Sequence, residues 1–83
     1  MKEKAIIVFK IPKRNFEVDL EIPLDISAKE LVTALNQAYD LGIDVTDVKE
    51  CYLKAEAPIV FLKGNKLLKD YGVQNGTRIS FTE

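Results

Sequence analysis

The sequence contains no histidine, so the side chain that most readily trades protons near neutral pH is missing. It has one cysteine, Cys51, which cannot form an internal disulfide. An excess of charge of either sign is missing too. Twelve Lys and Arg stand against thirteen Asp and Glu, a net charge of −1. That balance makes no electrostatic case for nucleic acid or for an anionic membrane. No apolar run is long enough to span a bilayer. Met1-Lys2-Glu3-Lys4 leads into a short apolar stretch, with no signal-peptide core. Cytoplasmic residence is expected, without membrane insertion. No phosphate-loop glycine pattern occurs, since Gly64 and Gly76 read as turn residues. Eighty-three residues with 47% hydrophobic and 30% charged content are the size and balance of one small domain, spanning 1–83.

What is present is a single sustained helical period. Leu31, Ala34, Leu35, Ala38 and Leu41 recur at three- and four-residue spacing, which predicts a helix whose apolar stripe needs a partner. Ser27 is its expected cap, Glu30 the returning residue of a capping box, and Ile26 with Leu31 a hydrophobic staple. Gly42 is expected to end it.

The rest of the chain reads as strand and turn. Ala5–Ile11 is rich in β-branched and aromatic residues. After a turn at 12–15, Phe16–Ile22 alternates apolar residues with Glu17, Asp19 and Glu21. Lys10, Lys13 and Arg14 read as an ordinary solvated cluster around that turn. Residues 43–48 read as a loop with apolar anchors. Strands are expected at 50–55, 59–62 and 77–82, with a short helical turn at 67–73 packing Leu68, Tyr71 and Val73. A hairpin, a crossing helix and further strands give an α+β fold. It has one mixed sheet, a helix across one face, and the first and last strands parallel at the centre: the β-grasp arrangement.

Several side chains invite a chemical reading. Cys51 is either a thiol nucleophile or a small core hydrophobe beside Leu53 and Ala55. Without histidine or a helix N-terminus near it, the core role is favoured. Ser27 is accounted for by its cap role. Glu17, Asp19 and Glu21 sit about 7 Å apart along a strand, loose for one metal ion and suited to a solvated edge. No catalytic residue, metal ligand or cofactor is assigned, and the chain is read as non-enzymatic.

The surface that remains follows from strand parity. If Ile7, Phe9 and Ile11 face the helix, then Ile6, Val8 and Lys10 face away. Tyr52 and Lys54 share that outer side on the third strand, and Arg78 and Ser80 on the last. Ile6, Val8, Lys10, Tyr52, Lys54 and Arg78 are thus the candidate protein-binding residues. An apolar centre with a charged rim suits an interface. Two exposed aliphatics on a central strand are equally compatible with ordinary surface.

Certain stretches also resemble a known family. Phe61-Leu62-Lys63-Gly64-Asn65-Lys66 followed by Leu68-Lys69-Asp70-Tyr71-Gly72-Val73, and Leu20-Glu21-Ile22 leading through a proline to a capped helix, resemble ubiquitin. The segment Tyr52–Lys66, continuing through Gly72-Val73-Gln74-Asn75-Gly76-Thr77, is more similar to the small bacterial ubiquitin-like proteins of the YukD/EsaB type. That resemblance implies a cytoplasmic accessory protein of a type VII secretion system with a protein partner, such as a membrane-bound component of the apparatus. Weak self-association is a further expectation. The other readings are a protein modifier or sulfur carrier, and an adaptor unrelated to secretion. Modifiers use a flexible Gly-Gly tail, whereas this sequence closes on Phe81-Thr82-Glu83, so conjugation is not expected.

Overall fold

The alternating residues of the first two segments build a long antiparallel hairpin in the computed structural model, which describes residues 3–82. β1 (Lys4–Ile11) pairs with β2 (Phe16–Pro23) over eight residue pairs, from Lys4 opposite Pro23 to Ile11 opposite Phe16. A 3₁₀ turn at Pro12–Arg14 joins them, and Asn15 takes the left-handed φ of 52° that closes it. The α-helix α1 (Ala28–Tyr39) crosses one face, and β3 (Tyr52–Glu56), β4 (Val60–Lys63) and β5 (Arg78–Ser80) complete the sheet. The strand order is β2-β1-β5-β3-β4, with β1 and β5 parallel and the remaining pairs antiparallel. This is the expected β-grasp layout. The last three strands are shorter than or shifted from the sequence reading by up to two residues at their ends.

The inward residues of the strands and one face of the helix form a single core, in which Ile7, Phe9, Leu62, Leu68, Val32 and Ile79 are wholly buried. Cys51 belongs to it as a free, buried thiol, the core role its neighbours suggested. Two details of the helix differ from expectation. Its buried face is Ala28, Leu31, Val32 and Leu35, while Ala34 and Ala38 are exposed. Tyr39 sets this phase: its ring packs 5.2 Å from Phe9 and 5.3 Å from Phe16, turning the bulky side chains to the sheet. Asp40, at φ 52°, is the left-handed residue that ends the helix, not Gly42. Asn36 then holds the exit, its amide bonding both the N–H and the carbonyl of Ile43.

The helix start is fully satisfied. Ser27 Oγ accepts the Glu30 N–H at 3.1 Å, while the Ala28 and Lys29 N–H groups donate to the carbonyls of Lys66 and Gly64. Glu30 takes its bond from the Ser27 hydroxyl at 3.3 Å rather than from the backbone, a variant of the capping box. At the other end, Arg14 is no ordinary solvated residue. Its guanidinium donates to the carbonyls of Tyr39 and Asp40. Thr77, wholly buried, donates to Ala57 O and accepts from Gln74 N, pinning the approach to β5.

Candidate protein-binding surface

The sheet face opposite the helix has no layer over it among the described residues, and its side chains fall into rows set by the register. One row runs Glu17, Lys10, Ser80, Lys54, Phe61. The next runs Asp19, Val8, Arg78, Glu56, and a third pairs Glu21 with Ile6. Tyr52, opposite Lys63, lies beyond the first row. The expected parity holds for every candidate: Ile6, Tyr52, Lys54 and Arg78 are exposed, and Val8 and Lys10 are half-buried.

The rows also show which candidates meet. Ile6 and Val8 are neighbours on β1, with Asp19 and Glu21 on one flank and Arg78 on the other. Among the described residues three cross-strand ion pairs lie on this face: Lys4 with Glu21 at 3.7 Å, Lys10 with Glu17 at 3.6 Å, and Arg78 with Glu56 at 3.2 Å. All are exposed, so each contributes little to stability and chiefly sets the charge pattern of the surface. Tyr52 is not part of the Ile6–Val8 cluster. Its row is six residues further along the strand direction than Ile6, about 20 Å. It joins Phe61 instead, in an edge-to-face contact with ring centroids 5.4 Å apart.

Phe61, 55% exposed, is a member of this face beyond the sequence candidates; its signal is its alternation with buried Leu62. Val48 departs from its expected anchoring role. It is 85% exposed, whereas Ile43 and Val45 of the same loop pack on the core. The loop is held by its own carboxylates. Asp44 accepts from the Thr46 hydroxyl at 2.6 Å and the Thr46 N–H at 3.0 Å, and Asp47 from the Lys49 N–H at 2.9 Å. The Thr46 hydroxyl, then its N–H, hold the Asp44 carboxyl below its ordinary value. At the other end of β1, Asn75 accepts the Ile6 N–H, and the Gly76 N–H donates to the Ile6 carbonyl, so the turn before β5 braces the strand beside the exposed Ile6 side chain.

Among the described residues no group of three His, Cys, Asp or Glu side chains converges to hold a metal, and no helix is long and apolar enough to cross a membrane. What the face offers chemically is a small apolar centre bordered by charges.

Known proteins share this architecture. The C-terminal ubiquitin-like domain of mouse tubulin-specific chaperone e superposes with a TM-score of 0.75 at 15% identity, covering 98% of this chain and 87% of that one. A ubiquitin-like domain from tubulin-binding cofactor B gives 0.76 at 22% identity, covering 100% and 92%. The ubiquitin-like domain of Plasmodium falciparum Dsk2 gives 0.63 at 21%, covering 94% and 97%. At such identities these likenesses establish the ubiquitin-like fold. No curated protein matches the sequence. The sequence model described as "WXG100 protein secretion system (Wss), protein YukD" matches residues 6–80, which spans every strand from the apolar centre of β1 to the end of β5, and the chain belongs to the YukD family.

Proposed function

We propose that this protein is a non-catalytic, cytoplasmic accessory subunit of a WXG100, or type VII, secretion system, working by protein–protein contact and not by conjugation to targets. The observation that carries the reading is the family match over residues 6–80. The geometry supports it, because the sheet face opposite the helix holds Ile6 and Val8 between opposite charges, and none of the described residues forms a layer over them. The partner is a protein, with a membrane-bound component of the apparatus the natural candidate. The candidate contact set is Ile6, Val8, Lys10, Lys54 and Arg78, with Tyr52 at a separate corner of the same face.

The test is affinity capture from cells that carry the secretion system, with wild-type protein and Ile6→Lys side by side. Glu21 stands opposite Ile6, so the new lysine meets an opposite charge and the fold is retained. Recovery of a secretion-apparatus component by wild type and its loss with the variant is the expected result. Equal recovery by both would place the contact elsewhere. ATP-dependent high-mass adducts in lysate would instead favour the modifier reading.

A further inference from the structure

Five large apolar side chains stand exposed among the described residues: Ile6, Val48, Tyr52, Ile59 and Phe61. Val48, Tyr52 and Phe61 line one groove of about 810 Å³, well away from Ile6 and Val8. That volume lies within the range of about 300–1,000 Å³ usual for ligand sites. Val45, Cys51 and Tyr71 complete its apolar wall. The Tyr71 ring is fixed in place, since its hydroxyl donates to the Lys63 carbonyl at 2.6 Å.

The groove is ringed by charge of one sign. Lys29 comes from the first turn of α1, Lys49 from the loop before β3, and Lys63 from the end of β4. Among the described residues no carboxylate lines the groove. Among the described residues none of these three lysines forms an ion pair, whereas Lys4, Lys10 and Arg78 on the sheet face all do. Of the loop carboxylates in sequence reach of the groove, Asp44 and Asp47 are turned to their own backbone, and Glu50 lines a separate cleft beside Leu53 and Ser80. Three separate segments therefore bring unpaired cations to the edge of one apolar cleft. That combination favours an occupant with apolar anchors flanked by negative charge.

We propose that the groove is a second docking site, distinct from the Ile6–Val8 cluster, for an acidic peptide segment of a partner protein that carries an aromatic or aliphatic anchor. The anchor seats against the Tyr52–Phe61 edge-to-face pair and Val48, and flanking carboxylates meet Lys29, Lys49 and Lys63. An open, solvent-facing cleft with an 85% exposed valine suits an extended chain better than a small enclosed ligand.

The probe is a fluorescein-labelled peptide of alternating Glu and Asp with two Phe anchors, read by polarisation and by amide shifts of ¹⁵N-labelled protein. Binding that weakens as salt rises, with shifts at Val48, Tyr52, Phe61 and Lys63 and not at Ile6 or Val8, is expected. Phe61→Ser and the double variant Lys49→Glu, Lys63→Glu should each lower affinity by about tenfold or more, since each removes one half of the recognition. Circular dichroism checks that both stay folded, and Ile6→Lys should bind the peptide as wild type does. The proposal fails if the acidic peptide does not bind, or if both groove variants bind it undiminished. It fails equally if a single-stranded oligonucleotide binds as tightly, or if the groove is occupied by a second copy of the chain, seen as a dimer that Phe61→Ser dissolves.

Discussion

Arg14 and Tyr39 join the first hairpin to the end of the helix: guanidinium Nη1 donates to the Tyr39 carbonyl at 2.8 Å while Nη2 reaches Asp40 O at 3.0 Å. These are orphan carbonyls of the last helical turn, and the positive charge sits where the helix dipole is negative. Arg14→Ala should therefore cost about 1 kcal/mol, the lower part of the range for charged hydrogen bonds because the pair is exposed. Arg14→Lys should recover only part of this, since a single ammonium cannot span two carbonyls as the planar fork does. Urea midpoints of the three proteins decide it. A lysine midpoint between those of alanine and wild type supports the fork, full recovery by lysine refutes it, and no loss with either variant refutes the capping role.

The helix phase makes a second prediction. Leu35 is buried against the sheet, so Leu35→Ala should cost about 2–5 kcal/mol. Ser27→Ala leaves the Glu30 N–H without its acceptor and should cost about 1 kcal/mol. Ala34→Lys, on the exposed face, should stay within about 0.5 kcal/mol of wild type. If Ala34→Lys proves as damaging as Leu35→Ala in denaturant titration, the helix presents the other face.

Asp44 gives a pH dependence of known sign. Its folded pKa lies below the ordinary 3.8, first because of the Thr46 hydroxyl and next because of the Thr46 N–H. A depressed carboxyl stabilises the fold above the ordinary value, and that contribution is lost as pH falls through the folded value. Thr46→Val removes the largest cause and keeps the backbone bond. The Asp44 carboxyl, followed by NMR titration, should then move part of the way back toward 3.8. No movement would mean that the hydroxyl bond is not what lowers it.

The fold was legible because the signals behind it are local and redundant. The unbroken alternation of Phe16–Ile22 and the cap at Ser27 each follow from residues close in sequence. The helix phase was less legible, because Ala34 and Ala38 are small enough for either face and Tyr39 decides between them through contacts with Phe9 and Phe16. Arg14 looks solvated in the sequence because its acceptors lie 25 and 26 residues away. The outer-face residues followed from parity alone, but their grouping needed the cross-strand register, which separates Tyr52 from Ile6 and brings it to Phe61. The groove was invisible for the same reason, since its lysines come from three segments that only the fold assembles.

The sharpest check on the sheet face contrasts adjacent residues of β1. Phe9 is wholly buried, packed beside Tyr39 and opposite Val18, so Phe9→Asp forces a carboxylate into the core and should unfold the domain. Val8 points the other way, yet it is only half-buried, with Asp19 opposite on β2 and Arg78 opposite on β5. Val8→Asp therefore keeps the fold but loses some stability, because the new charge faces Asp19 and is only partly offset by Arg78. Ile6→Lys should be milder still, being 53% exposed and opposite Glu21. Circular dichroism melts should thus rank Ile6→Lys above Val8→Asp, and Val8→Asp far above Phe9→Asp. Both outward variants should weaken partner capture, since both place charge in the apolar centre. If Val8→Asp unfolds the protein while Phe9→Asp does not, the proposed surface is the core and the binding reading falls with it.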